Sequence, residues 1–154
     1  EVQEPSDWVV VPERCCAAIE LPASVRWGPL DPATAMACFD YSGDTLEAVT
    51  ERLRLQPKIV SRTDGATYRE IIGPAVTDCF CVDKILIDRE YHYRSASASL
   101  NIGVVTSGSG ELVVGDAGFP LRRGDAFLLP CAIRAATFRA QEPLALYLIR
   151  PGAS

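Results

Sequence analysis

The chain has 154 residues, with 15 Lys and Arg against 20 Asp and Glu and one His, a formal net charge of -5 at pH 7. That balance argues against nucleic acid or an anionic membrane as the main partner of the whole chain. No apolar run approaches the length of a membrane-spanning helix, and the charged start does not have the form of a signal peptide. A hydrophobic content of 48% is enough for a real core in one domain, or in one domain with an extension.

The sequence opens Glu1-Val2-Gln3-Glu4-Pro5-Ser6-Asp7, without a methionine and in what reads as the middle of an element. The expectation is a processed or excised piece of something longer. An apolar run, Trp8-Val9-Val10-Val11, follows, and residues 15–21 read as a further strand. Residues 22–32 carry Pro and Gly and read as a loop, whereas residues 33–41 fit a helix or a strand equally. Residues 44–55 predict a helix, with Asp44 as N-cap and Glu47 three residues on completing a capping box. Leu46, Val49 and Leu53 make its apolar face, and Pro57 bars continuation.

From Lys58 onward the pattern is strand and turn. Strands are predicted at 58–61, 67–72, 79–88, 97–106, 111–114, 119–121, 126–129, 135–140 and 144–150. Turns are predicted at Ser107-Gly108-Ser109-Gly110, Gly115-Asp116-Ala117-Gly118 and Arg122-Arg123-Gly124-Asp125, with Pro130 closing a strand. Eight or nine such strands argue for a mainly β, antiparallel sandwich or barrel. They are enough to close one jelly roll over residues 57–151.

The six cysteines, Cys15, Cys16, Cys38, Cys79, Cys81 and Cys131, include no C-x-x-C pair. They read as buried thiols of a cytoplasmic protein rather than as a disulfide framework.

The hairpin Gly110-Glu111-Leu112-Val113-Val114-Gly115 and the run Leu121-Arg122-Arg123-Gly124-Asp125-Ala126-Phe127-Leu128-Leu129-Pro130 resemble the central segments of the cupin superfamily. That resemblance implies a small jelly-roll barrel. Catalytic cupins hold a metal with imidazoles from an H-x-H pair and a lone His after the second motif's Pro. Here those positions read Tyr91-His92-Tyr93 and Cys131-Ala132-Ile133-Arg134-Ala135, so a three-imidazole site is arithmetically impossible within this chain. A mixed site of His92 with cysteines and carboxylates is the remaining metal option. His92 could instead serve as general base in a metal-free sugar epimerase, or be a surface histidine pointing away from Tyr91 and Tyr93. Arg94, Arg122, Arg123 and Arg134 read either as a phosphate-binding cluster or as solvated hairpin ends.

The opening segment, the helix behind Cys38-Phe39-Asp40-Tyr41, and Ile72-Gly73-Pro74-Ala75-Val76-Thr77-Asp78-Cys79-Phe80 precede the barrel in an order similar to the type I mannose-6-phosphate isomerase (phosphomannose isomerase) family. The resemblance implies that residues 1–21 are terminal strands of a preceding cupin barrel. It makes 22–56 a linker with the helix at 44–55, and 57–154 a metal-free carboxy-terminal barrel. It implies a parent that interconverts mannose 6-phosphate and fructose 6-phosphate with zinc bound upstream of Glu1. No cofactor is then expected in this chain, which would be inactive alone. A sugar phosphate is the partner expected for the intact protein, with packing against the missing amino-terminal barrel and no nucleic acid or membrane. Residue by residue, Glu1 matches a carboxylate lining the active site and Asp7 the aspartate of a Ser-Asp pair. The family's arginine four residues later falls on Val11. A metal-free cupin acting as a sugar-binding or regulatory module stands as the reading from a different class.

Overall fold

The computed structural model describes residues 10–95 and 99–152, which fall into two compact units meeting between Arg54 and Leu55. Glu1 and Asp7 lie outside the described residues.

The first unit is built from short pieces. β1 (Cys15–Cys16) and β2 (Ile19–Glu20) pair antiparallel around Ala17 and Ala18, both at positive φ without being glycine. The strand expected at 15–21 is therefore a tight hairpin, because the two left-handed residues reverse the chain at once. The expected loop at 22–32 contains a five-residue helix, α1 (Ala23–Trp27), in which Arg26 lies over the Trp27 ring and Arg26 Nη2 donates to Pro12 O at 2.7 Å. α2 (Pro32–Met36) resolves the ambiguity at 33–41 in favour of helix. Asp31 caps it by accepting from the Ala33 and Thr34 N–H groups, with proline at the first helical position.

α3 (Leu46–Leu53) is shorter than the 44–55 helix that the capping box predicted. Thr45, not Asp44, is the N-cap, because Thr45 adopts the extended backbone and its Oγ1 accepts from Ala48 N at 3.2 Å. Asp44 instead pairs with Arg52 at 2.8 Å. Leu46 and Leu53, at the two ends of the apolar face, are exposed.

The second unit carries eight antiparallel strands: β3 (Lys58–Arg62), β4 (Ala66–Ile72), β5 (Phe80–Ile87), β6 (Glu90–Arg94), β7 (Asn101–Val114), β8 (Ala117–Arg122), β9 (Ala126–Leu129) and β10 (Ala135–Pro151). Two of them are long and bent. The first half of β7 pairs with β9 and with the end of β10, while its second half pairs with β8 and with the start of β10. β10 in turn pairs with β5 over Leu144 to Pro151 and with β6 over Ala135 to Arg139. One continuous sheet is thereby folded over itself, with β7 and β10 shared by both layers.

Two predictions fail at this fold line. The turn expected at Ser107-Gly108-Ser109-Gly110 does not form, and strands 135–140 and 144–150 are a single strand. The ladder instead shifts register three times between Ala140 and Leu146, a bulged bend rather than a reversal. Gly108, at φ 77°, and Gly110 are needed because β10 passes so closely that a Cβ would collide with Pro143 O and Arg139 O respectively.

Between the layers lies one core. Ile85, Ile87, Leu144, Leu146 and Leu148 from one side cluster with Leu112, Leu121 and Phe138 from the other. Phe138 is fully buried, and a truncation to Ala there would cost about 3–5 kcal/mol. Gly103 stands opposite Phe127 in the β7–β9 register, and a Cβ at Gly103 would collide with the Phe127 ring. Phe127 then reaches Phe138, with ring centroids 5.8 Å apart. The cysteines depart from expectation: Cys81 is buried, but the other five are exposed because they lie in the small first unit or outside the strands of the second. None forms a disulfide.

Candidate functional site

Alternation along β5 puts Cys81, Asp83, Ile85 and Ile87 on the interior face. The same rule on β10 puts Leu144, Leu146, Leu148 and Arg150 there. Register sets Leu148 opposite Asp83 and Arg150 opposite Cys81, so Asp83 and Arg150 are diagonal neighbours inside the barrel. Arg150 Nε donates to Asp83 Oδ2 at 3.3 Å. The carboxylate is buried and its Oδ1 has no hydrogen-bond partner among the described residues. Burial alone would lower the Arg150 pKa, yet the neighbouring Asp83 carboxylate outweighs it, with help from Cys81 and Tyr68, and the net direction is upward.

Around this pair is a cavity of about 280 Å³ whose walls include Tyr68, Tyr91, Tyr93, Asn101 and, from the strand end, Arg94. Tyr68 and Tyr91 stack at 6.2 Å with their planes 20° apart. Burial pushes the Tyr68 phenol well above the ordinary tyrosine range, and its hydrogen bond to the Asp83 carboxylate and that group's charge push further the same way. Tyr91 moves in the same direction, first through burial and then through Asp83. Asn101, itself buried, donates from Nδ2 to Tyr93 Oη at 3.0 Å and to Ser99 O at 3.1 Å. Tyr93 Oη keeps its own proton to donate. The cavity therefore presents a carboxylate acceptor, guanidinium and phenol donors, and aromatic faces.

His92 is not part of it. Tyr91 and Tyr93 turn inward on β6 and His92 turns outward, exposed, with Nδ1 3.2 Å from Thr137 Oγ1 and Nε2 3.3 Å from Glu90 Oε1. A larger open groove of about 790 Å³ runs past it along Ser61, Asp64, Arg89 and Arg139. That groove contains no buried polar group of the kind Asp83 provides. Of the four candidate arginines, Arg94 borders the interior cavity; Arg122, Arg123 and Arg134 do not. In the first unit, Val11 N donates to Arg26 O at 2.9 Å, and Arg14 is tied to Glu20 at 3.1 Å on the surface. Among the described residues, no three His, Cys, Asp or Glu side chains converge as a metal site would require.

Sequence reasoning missed Asp83, Arg150, Tyr68 and Asn101. The signal for two of them was present: an acid and a base at the inward parity of otherwise apolar strands.

No protein-family model matches the sequence, and no curated protein matches it either. Solved structures do match in shape. Ectoine synthase from P. lautus superposes with a TM-score of 0.52 at 16% identity, over 71% of this chain and 77% of that one. An RmlC-like cupin from Shewanella frigidimarina gives a TM-score of 0.50 at 16% identity, over 65% and 86%. This is the cupin fold. The mannose 6-phosphate isomerase of Bacillus subtilis gives a TM-score of 0.58 at 23% identity, over 84% of this chain and 37% of the enzyme. Identities this low speak to architecture: a mainly β jelly roll preceded by a region of short strands and helices, with three short helices among the described residues where one or two were expected.

Proposed function

We propose that this chain is the carboxy-terminal part of a type I mannose-6-phosphate isomerase-like protein, contributing terminal strands, linker and a metal-free barrel, and inactive alone. The supporting observation is the reach of the likeness to the Bacillus subtilis enzyme. At 84% of this chain, it takes in more than the barrel unit contains, where the two other cupins just described match less.

Zinc does not fit the interior cavity. The cavity offers one carboxylate, already paired with a guanidinium, beside phenols and an amide, with neither imidazole nor thiolate among its lining residues. No step of isomerisation is therefore assigned to it. Under this reading the chemistry belongs to the intact protein, where Glu1 would move a proton between C1 and C2 and Asp7 would stand beside it. The location would be cytoplasmic and the substrate a sugar phosphate.

A coupled assay with mannose 6-phosphate tests the reading. This chain should show no turnover with or without added zinc, while the product of the full reading frame should turn over and lose activity to chelator. Turnover by this chain alone would sink it, as would a full reading frame that encodes no histidine-bearing barrel before Glu1.

A further inference from the structure

We propose that the cavity around Asp83 and Arg150 binds a single uncharged, hexose-sized polyhydroxylated ring. The inference goes beyond the isomerase reading and does not depend on it, since the residues concerned all belong to the barrel unit.

The first argument is the unpartnered acceptor. A buried carboxylate oxygen without a hydrogen bond is costly, and among the described residues Asp83 Oδ1 has none. A ligand hydroxyl donating to it removes that cost. The second is the complementary donor set. Arg150 spends only Nε on Asp83, leaving its Nη groups, and Tyr93 Oη has a proton to give once it has accepted from Asn101. Burial keeps the Tyr91 hydroxyl protonated well past neutral pH, so it remains a donor, while the Tyr68 hydroxyl is turned toward the Asp83 carboxylate. A ring bearing several hydroxyls, each both donor and acceptor, meets these requirements together.

Shape and charge narrow the class. Tyr68 and Tyr91, stacked on one another, give the cavity wall an apolar aromatic part against which the C–H groups of a sugar ring can pack. A volume of about 280 Å³ lies at the small end of ligand pockets, roughly 300–1,000 Å³, and suits one ring rather than an oligosaccharide. Arg94 borders the cavity at the strand end, but at the inner end the Asp83 charge offsets that of Arg150, and an anionic group placed there would meet a buried carboxylate. An uncharged ring meets no such opposition.

The experiment is a titration of the full chain with D-mannose, D-fructose and D-glucose, and separately with inorganic phosphate, followed by NMR chemical shifts and calorimetry. At least one hexose should give a saturable response that phosphate does not displace. Tyr68→Phe and Asp83→Asn should each weaken it about tenfold, and His92→Ala, on the outer face, should leave it unchanged. Thermal unfolding checks that each variant is folded. If Asp83→Asn is not folded, Tyr68→Phe, which keeps the ring, decides alone. The proposal is overturned if no hexose saturates the response by about 100 mM. It is equally overturned if phosphate displaces the sugar or if the cavity variants bind as the parent does. Failure here leaves the isomerase assay untouched, because that assay reads a different activity from a different part of the intact protein.

Discussion

Arg150 Nε and Asp83 Oδ2 lie 3.3 Å apart across adjacent antiparallel strands, a diagonal pair in which the acid is buried and the base one-third exposed. The asymmetry matters: removing the base strands a charge, whereas removing both removes the demand. Arg150→Met should therefore destabilise the barrel by about 1–3 kcal/mol. For a unit of this size that is a Tm loss of roughly 4–8 °C per kcal/mol. The double variant Asp83→Leu with Arg150→Met should recover most of the loss, as apolar replacement of buried pairs commonly does. Thermal denaturation of the single and double variants checks this. A double variant no more stable than the single would mean that the pair is not a unit.

The alkaline limb of stability should belong to the cavity tyrosines. Their folded pKa values are raised above the ordinary 10.0, so the protonated phenol is the form the fold prefers. Their contribution is fully present below pH 10 and is lost as pH rises from there toward the folded values, since above pH 10 the unfolded chain binds fewer protons. Absorbance at 295 nm should show two tyrosines ionising late. In Tyr68→Phe the fall of Tm above pH 10 should be shallower than in the parent. Equal slopes in the two proteins would remove Tyr68 from the account.

How far the sequence exposed this architecture can be judged at particular residues. The short apolar runs spaced by glycine and turn residues were enough to give an antiparallel jelly roll. The glycines at 107–110 were misread, because a glycine demanded by a turn and one demanded by close passage of another strand look alike in one dimension. Pro143, which crowds Gly108, is 35 residues away and invisible to a local window. Asp83 and Arg150 were legible as parity anomalies, but their meeting depended on the β5–β10 register, which no local pattern encodes. Tyr68 and Asn101 carried no such signal. That His92 faces away from Tyr91 and Tyr93 was legible from its neighbours alone, because alternation on one strand is a local property; that its face is the outer one was not. Glu1 and Asp7 rest on family resemblance and lie outside the described residues.

The same distinction among glycines gives a paired test. Gly108 and Gly115 both have positive φ, but a Cβ at Gly115 meets nothing, whereas at Gly108 it meets backbone of β10. Gly115→Ala should cost about 1 kcal/mol, the left-handed penalty alone. Gly108→Ala should cost that and more, about 3 kcal/mol or above, since carbonyls in a bulged ladder cannot swing aside as a side chain could. Urea unfolding of the two variants compares them directly. Equal losses would show that the bend yields to a methyl group and that conformation, not crowding, selects glycine at 108.

Metal content gives a further test of the proposed reading. The chain should hold no stoichiometric zinc or iron. Structural zinc is bound by four side chains and catalytic zinc by three, drawn from His, Cys, Asp and Glu. The single histidine points outward, paired with Glu90 and Thr137, and no such triplet converges among the described residues. The cysteines offer no C-x-x-C pair, and Cys81, the one buried thiol, stands opposite Arg150 in the β5–β10 register. Elemental analysis after dialysis against dilute chelator should give well under one metal per chain. The same dialysis should leave Tm unchanged, since a fold that depends on metal loses stability when the metal is removed. A ratio near one, with a Tm that falls on chelation, would overturn the metal-free reading and require a ligand set that includes residues outside 10–95 and 99–152.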